Sequence, residues 1–457
     1  MKLAAVILAA GQGTRMKSKL PKVLHPVVGK PMVYYALDAV SAIGVEQIAL
    51  VIGHGADQVR SVFSNFQPLT SNFQLVEQTE QRGTGHAVLQ ARDLLQNKAN
   101  TIVVTYADMP LLKTETLAKL VALHASSRST ITMLTVMSDD TMAFGRILRD
   151  ASQRVVGIVE ESEATPEQLA INELNCGVYC FDAAWMWAHL TELKPTGKKN
   201  EYYLTDLVAL AVAEHCQIEA VVSKDVGEMI GVNTRVQLAQ AERVMRERIN
   251  TTVMLAGVTL IDPGTTYIEA TVEIGADTII EPNTHLRGTT RIGENCRIGP
   301  NTIIRNSTIG DNCTILSSDL SDAMLEENVR IGPSARLRSG AHLARNVYMG
   351  NYGEVKNSYI GEGSLIGHFS YIGDTQMGKR VNIGAGTITC NFDGKQKNRT
   401  VIGDDAFIGS DTMLVAPVTI GARARTGAGA VVNKDVPADA LAVGSPARVI
   451  RKLANGE

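Results

Sequence analysis

The chain has 457 residues, 45% of them hydrophobic, enough for more than one full-sized core. Its 44 Lys and Arg are scattered among 47 Asp and Glu, leaving a net charge of −3, so neither a nucleic-acid stripe nor attraction to an anionic membrane is expected. No apolar run reaches membrane-spanning length, and the six cysteines (Cys176, Cys180, Cys216, Cys296, Cys313, Cys390) show no C-x-x-C pair and no zinc spacing, which favours a reducing, cytoplasmic setting.

The first apolar run, residues 3–10, is short, has one lysine before it and leads straight into glycines. It reads as a buried strand rather than a signal peptide. Further apolar runs at Gln47–Ile52, Thr101–Tyr106 and 131–136 alternate with helical stretches at 31–43 and 85–95. That alternation predicts βαβ units and a mostly parallel, Rossmann-like sheet. After the first strand comes Gly11-Gln12-Gly13-Thr14-Arg15-Met16, with Lys22 seven residues beyond Arg15. Two glycines let backbone amides approach a phosphate, and the two cations suit a triphosphate whose pyrophosphate must leave. The run lacks the third glycine of a dinucleotide fingerprint and the lysine of a P-loop, and a plain tight turn also accounts for Gly-x-Gly. Asp108, just past Thr101–Tyr106, is placed either to hold Mg²⁺ against a phosphate or to cap the strand. His86, opening a helix, reads as a cap or core residue rather than a catalyst.

Residues 234–249 lack Gly and Pro and form a predicted arm helix. Beyond it a new pattern starts. An apolar residue followed by glycine recurs at 274, 292, 298, 309, 331, 360, 366, 372, 377, 383, 402, 408 and 420, mostly 6, 12 or 18 residues apart. Spacings of 11, 22, 29, 5 and 19 mark resets. A six-residue period predicts a parallel β-helix whose apolar residue points inward and whose glycine permits the bend. Stacked coils supply the core. The expected domains are 1–228, a linker with the arm helix at 229–252, and the repeat at 253–457.

The motifs Leu8-Ala9-Ala10-Gly11-x-Gly13-Thr14-Arg15-Met16, Pro21-Lys22, Gln78, Gly83-Thr84-Gly85-His86, Tyr106-Ala107-Asp108, Gly145-Arg146, Glu160, Asn175 and Gly231-Val232-Asn233, with hexads behind them, are similar to one family. The whole chain resembles the bacterial bifunctional UDP-N-acetylglucosamine pyrophosphorylases / glucosamine-1-phosphate N-acetyltransferases. The resemblance implies a left-handed β-helix, a homotrimer and two activities. Acetyl-CoA would acetylate glucosamine 1-phosphate, and UTP would then uridylate the product, feeding peptidoglycan and lipopolysaccharide precursors. It implies that Leu8, Ala9, Ala10, Gly11, Lys22, Tyr106 and Ala107 line the nucleotide site. Arg15 and Lys22 would act on the phosphates, and Gln78, Gly83 and Thr84 would read uracil. Gly145, Glu160 and Asn175 would hold the sugar, though Glu160-Glu161 also fits a solvated turn. Asp108 and Asn233 would be the Mg²⁺ ligands.

In the repeat, the resemblance makes His368 the general base that takes a proton from the sugar amine, with Glu354 beside it. Imidazole titrates near neutrality and suits that task. Arg338 and Lys356 would bind the sugar phosphate, and Tyr371 and Asn382 the sugar. Ala385, Asn391, Phe392, Ser410 and Ala428 would line the coenzyme site, with Arg448 or Arg451 for its phosphate. Phe392 stands where the family's commonest residue is tyrosine, so only ring packing remains there. The alternative is a single-activity sugar-1-phosphate nucleotidyltransferase with a regulatory β-helix. A third reading is a non-catalytic subunit of a nucleotide-exchange assembly, which would be expected to lose Arg15, Lys22 and Asp108.

Overall fold

A computed structural model describes residues 2–65, 72–140, 144–196 and 200–453. The chain divides into two compact units, Met1–Met245 and Arg246–Glu457.

In the first unit, nine strands form one sheet: β1 (Leu3–Ala9), β2 (Gln47–Ile52), β3 (Phe73–Glu77), β4 (Thr101–Tyr106), β5 (Ile131–Met137), β6 (Arg146–Arg149), β7 (Val155–Val159), β8 (Glu173–Asp182) and β9 (Ile218–Ser223). The order is β9-β5-β8-β4-β1-β2-β3, with β6 joining β8 to β7. β1 pairs in parallel with β2 and β4, as β2 does with β3 and β9 with β5, while β8 runs antiparallel between β4 and β5. The sheet is mostly parallel, as expected. β1 is buried along its whole length, which is why it reads as an unbroken apolar run: both faces of a parallel sheet are covered. The stretch predicted as one helix over 85–95 is two, Thr84–Leu89 and Arg92–Leu95.

The arm helix runs Arg235–Leu255, past the predicted end. Thr251 and Thr252, weak helix formers, donate their hydroxyls back to the carbonyls of Glu247 and Arg248, and the helix stops before Gly257 at φ 97. The division between units falls within this helix. Its start is bonded into the first unit, with Arg235 donating to the Met16 carbonyl and the Val28 amide donating to Glu242. Near its end, Asn250 donates to the carbonyls of Pro263 and Thr266 in the second unit.

The second unit is a stack of coils whose short strands form three sheets of 12, 10 and 9 strands, hereafter the first, second and third faces. Along the first face Ile280, Ile298, Ile315, Ile331, Met349, Ile366, Ile383 and Ile408 stand in register and are buried. The step from Ile280 to Ile298 takes 18 residues, from Ile298 to Ile315 17, and from Ile315 to Ile331 16, so the resets of 11, 22, 29 and 5 are shortened corners. The spacing of 19 instead falls in a coil lengthened by an inserted loop, Ile383 to Ile408 taking 25, and the ladder stays unbroken through both. Hexads also continue unflagged through Ile315, Leu325, Leu337 and Leu343, where no glycine follows.

The bend is made differently from the expectation. Asp277, Asn295, Asn312, Asn328 and Asn346 carry the positive φ angles, a conformation Asn and Asp tolerate. Of the glycines after the apolar residue, Gly299 and Gly332 do bend at positive φ, 107 and 98, while most of the others answer a different need, close approach. A Cβ on Gly275 or Gly310 would lie 2.6 or 2.8 Å from backbone of the next coil.

Candidate active sites

A cavity of about 770 Å³ opens in the first unit beyond the carboxyl ends of β1 and β4, where open α/β sheets bind ligands. The loop after β1 forms its floor. Nothing lies within 4 Å of where a Gly11 side chain would point, so the backbone there is open to a ligand. Gly13 has φ 61, and a Cβ on it would sit 2.8 Å from Lys22 Cβ; its absence lets Lys22 pack beneath the loop. The Lys22 ammonium forms an ion pair with Asp108 and donates to Asn233 Oδ1 at 3.0 Å. The Val232 amide donates to the Asp108 carbonyl at 2.9 Å, fixing the Asn233 segment alongside. One carboxylate and one amide oxygen thus converge on a cation. Arg15 stands exposed on the turn Thr14–Met16 at the rim.

On one side of the cavity, Gln78 is buried and donates to the Gly83 carbonyl at 3.1 Å. Gly83 has φ 107, and a Cβ there would meet the Tyr202 carbonyl at 2.5 Å. Thr84 Oγ1 accepts the Leu204 amide at 2.9 Å, so residues 202–204 clamp this motif. Elsewhere in the cavity wall, Asn175 Oδ1 accepts from the Gly177 amide at 3.1 Å and the Tyr179 hydroxyl at 2.9 Å. The Asn175 amide in turn donates to the Gly145 carbonyl at 2.8 Å. Burial, then the neighbouring charges of Glu163 and Asp206, raise the Glu160 carboxyl above its usual range, while a hydrogen bond from Thr205 opposes them. Glu160 lines the cavity and is half-buried, so it does not sit on a fully solvated turn. Burial, then Asp108 and Glu160, likewise raise Tyr106.

Every nucleotide-site residue named from the sequence lines this cavity except Ala107, which is buried behind it. Tyr203 and Thr205 line it as well and went unnoticed, because no local signal marks residues 200–205. Among the described residues no group of three or more His, Cys, Asp or Glu could hold a metal, so a cation here would have the Asp108 and Asn233 oxygens and take the rest from substrate or water.

In the second unit the register aligns a column of residues. His368, Ala385, Ser410 and Ala428 each lie two residues after in-register positions Ile366, Ile383, Ile408 and Thr426, and so line one corner between the first and second faces. Gly444, two after Ala442, extends it, and Arg448 begins the antiparallel strand beside Val443. His368 is exposed. Unlike Gly350, Gly384 and Gly409 at matching corners, Gly367 before it has nothing within 4 Å of where a side chain would point.

On the second face Arg338 donates to Glu354 at 2.9 Å, and Glu354 stands in register with Tyr371. Glu354 thus pairs with Arg338. Asn391 donates toward the Tyr371 hydroxyl at 3.5 Å and to Asp374, while Phe392 is 61% exposed. Asn382 lies on the first face, between Leu365 and Phe407, and is not gathered with Arg338, Lys356 and Tyr371 on the second. The loop 391–399 brings up Lys397, which the sequence did not single out. Its hydrogen bond and charge, then Arg338, hold the Lys356 ammonium below the usual lysine range, against a weaker opposing pull from Asp374. Lys356 thus feels the charge of both Lys397 and Arg338, and a set of cations of this kind suits a phosphate.

The pattern of the nucleotidyl transferase family matches residues 4–242, and that of the bacterial transferase hexapeptide (six repeats) matches 271–306, 289–318 and 399–434. The chain is 48% identical over 441 residues to the bifunctional protein GlmU of Trichlorobacter lovleyi, covering 96% of this chain and 95% of that one. It is 48% identical over 442 residues to that of Heliobacterium modesticaldum, covering 97% and 95%. To that of Pelobacter propionicus it is 44% identical over 451 residues, covering 98% and 97%.

Proposed function

The chain belongs to the GlmU family of bifunctional proteins, and on that premise we infer that it makes UDP-N-acetylglucosamine in two steps, one in each unit. The observation that carries the reading is the convergence of Lys22, Asp108 and Asn233 beneath an open glycine loop. In the first unit, an oxygen of N-acetylglucosamine 1-phosphate attacks the α-phosphorus of UTP and pyrophosphate leaves. Such a displacement needs positioning and charge neutralisation more than a base. Arg15 and Lys22 offset the charge of the departing pyrophosphate. Gln78, Gly83 and Thr84 hold the uracil, while Gly145, Glu160 and Asn175 hold the sugar.

The family's reaction depends on a divalent metal. Mg²⁺ is our choice, because a site of one carboxylate and one amide oxygen leaves room for the waters and phosphate oxygens it prefers. Bound there by Asp108 and Asn233, it would neutralise phosphate charge. The convergence of both oxygens on the Lys22 ammonium supports the fit.

In the second unit, His368 takes a proton from the amine of glucosamine 1-phosphate as that amine attacks the thioester of acetyl-CoA. The C–S bond breaks and coenzyme A leaves as the thiolate, which the proton held by His368 neutralises. Arg338, Lys356 and Lys397 hold the phosphate, with Tyr371 and Asn382 on the sugar. The small side chains of Ala385, Ser410 and Ala428 leave a track for the pantetheine arm, with Asn391 and Phe392 beside it and Arg448 for the coenzyme phosphate. Because Asn382 and Tyr371 lie on different faces of one chain, a homotrimer that sets the first face of one copy against the second face of another completes the site. Work in the cytoplasm agrees with six free cysteines, and among the described residues no helix is long and apolar enough to cross a membrane. Assaying both half-reactions on the purified protein tests the reading: uridyl transfer without acetyl transfer would leave the β-helix a regulatory role.

A further inference from the structure

Gln78 ends in an amide, which can read either pyrimidine. With its oxygen toward the base it accepts the ring N–H of uracil. Turned over, it offers N–H to the ring nitrogen lone pair of cytosine. Selectivity therefore needs something that stops the amide from turning. The structure supplies two acceptors on one side of it. Gln78 Nε2 donates to the Gly83 carbonyl at 3.1 Å and lies 3.0 Å from His86 Nδ1. Both amide hydrogens are spent there. The oxygen, in a side chain that lines the cavity, has no hydrogen-bond partner among the described residues.

The role of His86 Nδ1 follows from a conflict. His86 Nε2 faces Gln90 Nε2 at 3.2 Å, and a neutral imidazole accepts at one nitrogen only. Gln78 is the member that cannot yield: it is 3% exposed, and the Gly83 carbonyl can only accept, so the nitrogen must face that way. Gln90 is partly exposed and can turn its amide to accept from Nε2–H, exchanging its bond to the His86 carbonyl for water. The imidazole thus carries its proton on Nε2 and accepts at Nδ1. Burial first, then the Arg82 charge, favour this neutral form, with Glu80 opposing.

We propose that His86 is a positioning residue for base recognition: it holds the Gln78 amide with its oxygen toward the cavity, so that the site selects a base with a ring N–H, uracil over cytosine. This rests on the assignment of Gln78 to the base. His86 touches neither substrate nor the reacting atoms.

The test compares kcat/KM for UTP with that for CTP in the full-length protein. His86→Phe removes the acceptor at similar size. The UTP-to-CTP ratio should fall about tenfold or more, through KM for UTP rather than kcat, as expected when a site loses a directional hydrogen bond. His86→Asn, whose side-chain oxygen falls near the Nδ1 position, should recover most of the ratio, and acetyl transfer should be unchanged in both. Should the phenylalanine variant fail to fold, His86→Leu takes its place, with thermal unfolding as the check. A ratio that survives loss of the acceptor, or that asparagine does not rescue, overturns the proposal. Gln78→Leu separates the underlying assignment. If that variant keeps the wild-type ratio, the base is read elsewhere and the assignment itself fails. If it loses the ratio while His86→Phe keeps it, only the positioning role is wrong.

Discussion

The two units build sites in opposite ways. The first encloses a cavity by drawing together residues far apart in sequence: Lys22 and Asn233, 211 positions apart, share a hydrogen bond. The second holds its candidate residues on the outside of a regular prism, where register places them. His368, Ala385, Ser410 and Ala428 form a column because each follows the same buried position of its coil. A folded sheet with long loops can wrap a substrate within one chain. A solenoid presents flat faces, so enclosure has to come from an inserted loop such as 391–399 or from a neighbouring copy.

If the contrast is right, the activities are separable. A chain ending at Leu255 should retain uridyl transfer and lose acetyl transfer entirely, since no second-unit column remains; a folded fragment inactive with UTP and Mg²⁺ would misplace the first site. His368→Ala should lower acetyl transfer by about 10²–10⁴-fold, the usual contribution of a general base, with uridyl transfer intact. Mixed with Ala428→Trp chains after verified subunit exchange, it should recover part of that activity; no recovery would place each acetyl site within one chain. Asp108→Asn should reduce uridyl transfer by about 10²–10³-fold at unchanged acetyl transfer, measured as pyrophosphate release. Lys397→Ala should raise KM for glucosamine 1-phosphate about tenfold, the scale of one charge-assisted hydrogen bond. The smallest effect is expected of Phe392→Tyr. Its ring is largely exposed, so restoring the hydroxyl should change KM for acetyl-CoA by no more than about threefold.

Much was legible in the sequence because it was local. A hexad period is a property of neighbouring residues, and it survives shortened corners because each coil still has to bury an apolar side chain. The glycine loop after β1, Lys22 and Asp108 were readable for the same reason: strand, turn and charge follow within a few residues. Even there the reason for a residue could be misread. Glycine marks the repeat, but Asn and Asp make many of the bends, and at glycines such as Gly275 and Gly310 it is the spacing between stacked coils that leaves no room for a side chain.

What only the tertiary structure decided depends on long-range approach. Nothing near Tyr203 or Thr205 announces a cavity, because the sheet and the loop at 82–85 bring that segment in. Lys397 meets Lys356 only once the excursion from the coil folds back. His86 reads from the sequence as a cap or core residue, and only the fold, which carries the residue after β3 up to its ring, shows its contact with Gln78. The sequence alone determines the period and polarity of each segment, since those follow from backbone stereochemistry and burial. It leaves open which distant side chains share a hydrogen bond, because that is set by ångström-scale closure of the chain over hundreds of residues.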